Sequence, residues 1–162
     1  MNDPRPAVFD CNVYLQAMLS SRGAAHACWR KALAGEVVLY VTPFILAEIR
    51  RLPDHRSLRR FRSFTHERVE RFVDEVIDIA TLLPDPPSAF VYPRDPDDAR
   101  YVDVAISTAA LLVVSNDNDL LDLMNDANSD GKALRVTYPT FRVVTPPEFL
   151  KGFDSSPATS SP

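Results

Sequence analysis

Two acidic residues that follow apolar runs of the chain are the first candidates for chemistry. Asp10 comes directly after the short run 7–9, and Asp117 comes soon after the run 111–114. Both runs are short and wholly apolar, which is typical of buried parallel strands. The carboxyl ends of such strands share one edge of the sheet, where open α/β sheets bind their ligands. The two carboxylates therefore predict a ligand site at that edge.

A third acid lies on the core-facing side of a predicted helix. Glu48 falls between Ile45 and Ile49, which form an apolar stripe with Leu52 at helical spacing. A carboxylate on such a stripe is costly unless it is paired or binds a metal ion. Two interpretations stay open: Glu48 binds a metal ion, or it forms an ion pair with one of the nearby arginines.

A fourth acid stands at the start of another predicted helix. Asp98 precedes Val102 by one helical turn, at the head of an inward apolar stripe. It is the acid of this region best placed to face the site, although it could serve only as the helix N-cap. The assignment stays open because three further acids crowd the same region, namely Asp95, Asp97 and Asp103.

The chemistry of such a cluster follows from its charge and its donor atoms. Several carboxylates held close together cannot all stay ionised without a counter-charge. A set of ligands that offers only oxygen selects Mg²⁺ or Mn²⁺ over zinc. An ion of this kind can activate water and neutralise the charge that develops on a phosphodiester. Asn12, Ser115 and Asp119 are short polar neighbours that could orient the acids.

The elements that must position these acids alternate between strands and helices. Strands are predicted at 7–9, 37–41, 111–114, 134–137 and 142–144, with a short one at 89–91. Helices are predicted at 13–19, 24–33, from 43 onwards, as one or two basic helices across 58–82, up to 110, from 120 and from 145. This alternation predicts an α/β fold with a mostly parallel sheet, right-handed crossovers and helices on its faces.

Composition limits the classes of protein to which the chain can belong. With 162 residues, of which 46% are hydrophobic and 25% charged, we expect one globular domain over 1–153. A flexible Ser/Pro-rich tail is expected at 154–162. The chain has neither an apolar run of about 18 residues nor a signal-peptide pattern, which favours a cytoplasmic protein. Cys11 and Cys28 lack the spacing of a disulfide framework or zinc site, so we expect reduced thiols.

Basic residues are concentrated in one stretch of an otherwise acidic chain. Residues 50–71 contain eight arginines and three acids, a local charge of +5 in a chain whose net charge is −4. Such segregation suits a polyanionic partner beside an acidic centre, although a solvated helix face with internal ion pairs explains it equally well. The candidate nucleic-acid contacts are Arg50, Arg51, Arg56, Arg59 and Arg60.

Four short motifs together resemble the PIN domain family, in particular the toxin components of VapBC-type toxin–antitoxin systems. They are Val-Phe-Asp-Cys-Asn at 8–12, Ile-Leu-Ala-Glu-Ile at 45–49, Asp-Pro-Asp-Asp at 95–98 and Ser-Asn-Asp-Asn-Asp at 115–119. The resemblance covers about residues 7–151.

This resemblance implies a three-layer, Rossmann-like fold and a Mg²⁺-dependent ribonuclease that is often dimeric and is inhibited by an antitoxin. It places the four acids of the family on Asp10, Glu48, Asp98 and Asp117. The chain departs from the family at Cys11, where Thr or Ser is usual.

The chain lacks residues that other α/β classes require. A haloacid-dehalogenase-type phosphatase needs a second aspartate where Asn12 stands, and a receiver domain needs an acidic pair and a later strand-end lysine. A dinucleotide-binding fold needs a glycine-rich turn, whereas this chain has only four glycines. The remaining rival is a PIN-like module that binds RNA or a protein with little or no hydrolysis, and metal dependence separates the two.

Overall fold

The computed structural model describes residues 3–108 and 110–154. The strands within these ranges are β1 (Arg5–Phe9), β2 (Val37–Val41), β3 (Thr81–Leu82), β4 (Leu112–Val114) and β5 (Arg142–Val144). The helices are α1 (Cys11–Leu19), α2 (Ala24–Leu33), α3 (Pro43–Arg51), α4 (His66–Ile79), α5 (Pro96–Ser107), α6 (Asn118–Leu121), α7 (Ser129–Thr137) and α8 (Pro146–Asp154). Single 3-10 turns cover Leu52–Asp54, Arg56–Leu58 and Asp122–Met124.

All pairs of neighbouring strands that the described residues form are parallel. The strand order is β3-β2-β1-β4-β5. The chain moves outwards from β1 to β3 and then returns to β4 on the other side of β1. With right-handed crossovers, α1–α4 cover one face of the sheet, and α5–α7 cover the other. The predicted three-layer α/β fold is therefore confirmed, with a sheet that is parallel throughout rather than mostly.

The two sheet halves meet between β1 and β4, which is the topological switch point of the fold. The register there pairs Val8 with Val113 and Phe9 with Val114. The backbone N–H of Asp10 continues this ladder by donating to the carbonyl of Val114 at 3.0 Å. Parallel sheets of this kind bind ligands in the crevice at such a switch point. The register thus places Asp10 beside Ser115, the residue that follows Val114.

The strand predicted at 134–137 is wrong, because this segment is the second half of α7. The apolar–polar alternation of residues 134–137 is typical of a strand, but a cap at Asn128 starts a helix instead. The side-chain oxygen of Asn128 accepts a hydrogen bond from the backbone N–H of Gly131 at 2.9 Å. Val136 is 76% exposed and Leu134 is 5% exposed, so the segment buries one apolar side chain as part of a helix face.

Where one or two basic helices are predicted across 58–82, the structure has one, α4, which begins later than expected. The hydroxyl of Thr65 accepts a hydrogen bond from the N–H of Arg68 at 3.2 Å, so the helix starts at His66. The preceding residues form turns and loops, and the short strand Thr81–Leu82 ends the stretch without having been predicted.

Two predicted strands and one predicted helix end also differ from those in the structure. The segment 89–91 forms no strand in the structure. Leu111 has a left-handed φ of 54° and its N–H donates to the carbonyl of Ala105, so β4 begins one residue later than predicted. The helix predicted to reach 110 ends at Ser107. The predicted flexible tail, apart from Asp154, lies outside the described residues. None of the described helices is long and apolar enough to cross a membrane.

Candidate active site

A single buried hydroxyl connects the two acids at the strand ends. Ser115 Oγ donates to Asp10 Oδ2 at 2.6 Å and accepts the backbone N–H of Asp117 at 2.9 Å. Ser115 has no exposed surface and Asp10 is only 4% exposed. Both positions follow from the register of β1 and β4, which brings the ends of these strands side by side. Ser115 therefore fixes Asp10 and Asp117 relative to one another.

Local hydrogen bonds also fix the residues that follow. Asp117 caps α6, and its Oδ1 accepts the N–H of Asp119 at 2.8 Å. Asn12, predicted as a supporting residue, contacts the same loop through its side-chain oxygen, which accepts the N–H of Asn116 at 3.5 Å. The loop after β4 is thus held against the start of α1.

The N-cap of α5 is Asp95 and not Asp98. Asp95 Oδ1 accepts the backbone N–H groups of Asp97 and Asp98 at 3.1 and 3.2 Å. Asp98 is therefore free of the capping role that the sequence left open. Its side chain is 7% exposed, and its Oδ2 atom is buried without a hydrogen-bond partner among the described residues. An unpartnered buried carboxylate oxygen requires either a proton or a cation.

The other acids of this region have different surroundings. Asp97 is exposed. Asp103 is buried, and its Oδ1 accepts the backbone N–H groups of Ala89 and Phe90 at 3.0 and 2.8 Å. Asp103 therefore holds the proline-rich segment 84–93 against α5, which is a structural role.

Burial, together with the charges of neighbouring acids, raises the pKa of two of the acids. Burial raises the pKa of Asp10 to about 6, with a further contribution from the charge of Asp117, against the hydrogen bond from Ser115. Burial also raises the pKa of Asp98 to about 8, and the charges of Asp117, Asp95, Asp10 and Asp119 add to it. Asp98 thus lies within the field of four other carboxylates.

Glu48 approaches this group from α3. Its side chain is 21% exposed, and Oε1 lies 3.3 Å from Arg51 Nη1, so the ion pair that the sequence left open is present. Burial raises the pKa of the Cys11 thiol to about 12, and the charges of Asp10, Glu48 and Asp98 add to this shift. Cys11 therefore lies among three of the four predicted acids.

Three carboxylates lie close enough to share one ion. Oxygens of Asp95, Asp98 and Asp119 lie within 4.8 Å of one another. This set contains Asp98 from the predicted four and Asp119, which was predicted only as a supporting residue. Asp95 was considered only as an alternative to Asp98, although Asp-Pro at a helix start is the usual signal for an N-cap that holds its carboxylate there. All the donors are carboxylate oxygens, which fit a hard divalent cation such as Mg²⁺ or Mn²⁺.

No sequence pattern indicated the arginine side chain that lies beside these acids. Arg94 Nη2 lies 2.6 Å from Asp119 Oδ1, and Arg94 Nη1 lies 2.7 Å from Asp122 Oδ2. The hydroxyl of Tyr92 donates to the backbone carbonyl of Asp119 at 3.0 Å. These contacts bring the segment before α5 against α6 and hold Asp119 in place.

The predicted nucleic-acid contacts divide into two groups. Arg50 pairs with Glu70 at 3.0 Å, and Arg51 pairs with Glu48. The side chains of the remaining three are exposed and have no acidic partner within the described part of the chain; they are Arg56, Arg59 and Arg60.

Replacing Ser115 with alanine is expected to lower activity about 10-fold to 100-fold, which is the usual effect of removing a group that orients a metal ligand. The substitution removes the hydrogen bond to Asp10 and the acceptor for the N–H of Asp117. Initial rates of metal-dependent nucleic-acid cleavage measure the effect. Ser107→Ala is the matched control, because within the described residues the Ser107 hydroxyl donates only to the carbonyl of Val104 in its own helix. Equal cleavage rates for the two variants would show that Ser115 does not position the acids.

Comparison with known proteins agrees with this arrangement of strands and acids. A family model described as the PIN domain matches residues 6–119, which is more than half of the 162-residue chain and includes all four predicted acids. An uncharacterized protein of Methanocaldococcus jannaschii is 25% identical over 147 residues, which cover 91% of this chain and 90% of that protein. The chain belongs to the PIN domain family.

Proposed function

We propose that the protein is a Mg²⁺- or Mn²⁺-dependent endoribonuclease that hydrolyses RNA at the acidic group containing Asp10, Glu48, Asp98 and Asp117. The observation that carries this proposal is the buried Oδ2 of Asp98, which has no hydrogen-bond partner among the described residues. It lies at the switch point of a parallel sheet, within the field of four other carboxylates. PIN domains are generally nucleases, so a nucleic acid is the substrate class, and RNA is the narrower proposal.

In this proposal Asp10, Asp98 and Asp117 hold the ion, with Glu48 beside them. Asp95 and Asp119, whose carboxylate oxygens lie within 4.8 Å of one another and of an Asp98 oxygen, supply further oxygen ligands. When bound, the ion would activate water and neutralise charge on the phosphodiester. The raised pKa values of Asp10, about 6, and Asp98, about 8, mean that the metal-free carboxyls bind protons near neutral pH. Cation binding must release these protons, so metal affinity is expected to rise with pH.

The other residues of the site constrain the mechanism. The pKa of Cys11, raised to about 12, keeps its thiol protonated and excludes it as a nucleophile at neutral pH. Ser115 Oγ already donates to Asp10 and accepts from Asp117, so it orients the acids rather than attacking phosphorus. These contacts support direct attack by water over a covalent intermediate.

The biological role is a further part of the proposal. The motif resemblance to VapBC-type toxins supports a cytoplasmic toxin that acts as a homodimer and is inhibited by an antitoxin protein. Arg94 and Arg51 favour a second candidate, a catalytically weak PIN-like module that binds RNA or a protein. Each of these arginines already pairs with an acid of the group, Asp119 and Glu48 respectively, and so reduces the charge available to a metal ion.

Incubation of the purified protein with labelled RNA separates the two candidates. Endonucleolytic cleavage is expected with Mg²⁺ or Mn²⁺, and excess EDTA should stop it. Restored cleavage after Mn²⁺ is added back would show that EDTA acted by removing the metal. Cleavage that persists in EDTA contradicts the proposal, and RNA binding without cleavage in either metal supports the second candidate.

A further inference from the structure

The loop between α3 and α4 carries an exposed basic surface outside the acidic group. We call residues 55–64 the arginine segment. Two of its side chains anchor it in the core, since Leu58 is 9% exposed and Phe64 is 6% exposed. The other eight residues of the segment are exposed. The loop is therefore fixed at two points and presents its remaining side chains to solvent.

The positive charge of this segment is not compensated locally. It contains four arginines and no acidic residue. No ion pair of the described residues involves these guanidinium groups, which belong to Arg56, Arg59, Arg60 and Arg62. By contrast, Arg50 and Arg51 at the end of α3 are both paired with acids. An acidic chain that leaves four neighbouring arginines unpaired is complementary to a polyanion.

An aromatic ring lies in the middle of these arginines. Phe61 is 36% exposed, although the guanidinium carbon of Arg60 lies 4.9 Å from the centroid of its ring. Its neighbours Leu58 and Phe64 already supply the core contacts of the segment. Proteins that bind single-stranded nucleic acids combine cationic grooves with aromatic rings on which bases stack.

The segment is joined directly to the helix that carries Glu48. The turn Leu52–Asp54 links the end of α3 to the segment, and the ion pair between Arg50 and Glu70 ties α3 to α4. A nucleic acid bound to the segment would therefore contact an element that is continuous with the acidic group.

We propose that the arginine segment binds the RNA substrate outside the acidic group, with phosphates paired to its arginines and an unpaired base stacked on Phe61. The identity of the ligand as RNA rests on the proposed function. Stacking on Phe61 requires a base that is free of a duplex, so the segment should prefer unpaired RNA to duplex RNA of the same length.

Fluorescence anisotropy with labelled RNA in EDTA, where no cleavage is expected, tests this preference. Phe61→Leu should weaken binding of single-stranded RNA about 5-fold to 100-fold and leave duplex binding unchanged, because it removes one base-stacking contact. Phe61→Tyr keeps an aromatic ring and should bind like the wild type. Thermal unfolding of each variant shows whether the fold is retained.

The arginines are tested through the salt dependence of the same binding. Arg59→Ala should lower the slope of log affinity against log salt by about 0.7, which corresponds to one lost phosphate contact on a single strand. Arg22→Ala is the matched control, because Arg22 is exposed, lies outside the segment and forms no ion pair within the described ranges. It should leave the slope unchanged.

The outcomes separate this proposal from the proposed function. Wild-type affinity and salt slope in both Phe61→Leu and Arg59→Ala would overturn it and leave the segment as a surface for an acidic protein. Equal losses on single-stranded and duplex RNA would also overturn the stacking role. If RNA binding depends on Phe61 but the protein cleaves no RNA, the result would support RNA binding by the arginine segment and contradict the proposed nuclease activity.

Discussion

Asp10→Asn is expected to lower metal-dependent RNA cleavage by about 100-fold or more while leaving the fold intact. A metal ion in such a site contributes several kcal/mol of transition-state stabilisation, and each ~1.4 kcal/mol corresponds to a factor of ten in rate. Asparagine is neutral and binds the ion far more weakly. Its side-chain oxygen can still accept the hydrogen bond that Ser115 donates to Asp10, so the packing at the end of β1 should persist.

Cleavage rates and thermal unfolding of the same preparations measure both parts of this prediction. Asp97→Asn is the matched control, because Asp97 is an exposed acid at the start of α5, and its loss should leave the rate unchanged. If Asp10→Asn cleaves RNA at the wild-type rate, Asp10 is not a catalytic residue.

The metal-free protein is expected to be more stable at pH 6 than at pH 9, chiefly because of Asp98. The pKa of this carboxyl is about 8 in the folded protein, against an ordinary value of 3.8. The folded state therefore binds more protons than the unfolded state between these values, and the free energy of unfolding falls as the pH rises through this window. For one such group the loss from pH 6 to pH 9 is about 2–3 kcal/mol.

Denaturant unfolding in EDTA at the two pH values measures this loss. Asp98→Asn carries no titrating carboxyl at this position and should lose the corresponding part of the pH dependence. Added Mg²⁺ should stabilise the wild type more at pH 9 than at pH 6, because the ion competes with the bound protons. The same pH dependence in the wild type and in Asp98→Asn would show that the Asp98 carboxyl does not have the proposed surroundings.

The fold could be predicted because its signals are local. The apolar runs before Asp10 and Asp117 are typical of buried strands, and parallel pairing then brings their ends to one edge. The helical spacing between Asp98 and Val102 likewise predicted the inward direction of Asp98, which is buried in the structure. The strand prediction at 134–137 was wrong because the helix cap at Asn128 outweighed the apolar–polar alternation of this segment.

The rest of the site depends on contacts between distant parts of the chain. Asp103 binds the N–H groups of Ala89 and Phe90, and Arg94 pairs with Asp119 across 25 positions of sequence (119 − 94). Neither contact has a periodic or motif signal, because each depends on how the proline-rich segment lies against α5 and α6. Sequence patterns therefore indicated the acids at strand ends and helix starts, but they did not indicate that Arg94 pairs with Asp119.

Crystals of the protein soaked in Mn²⁺ would test the central claim directly through the anomalous difference map. We predict a peak within bonding distance of carboxylate oxygens of both Asp98 and Asp10, at the switch point between β1 and β4. A map with no peak there, or with a peak that contacts neither residue, would contradict the assignment of this acidic group as a metal centre.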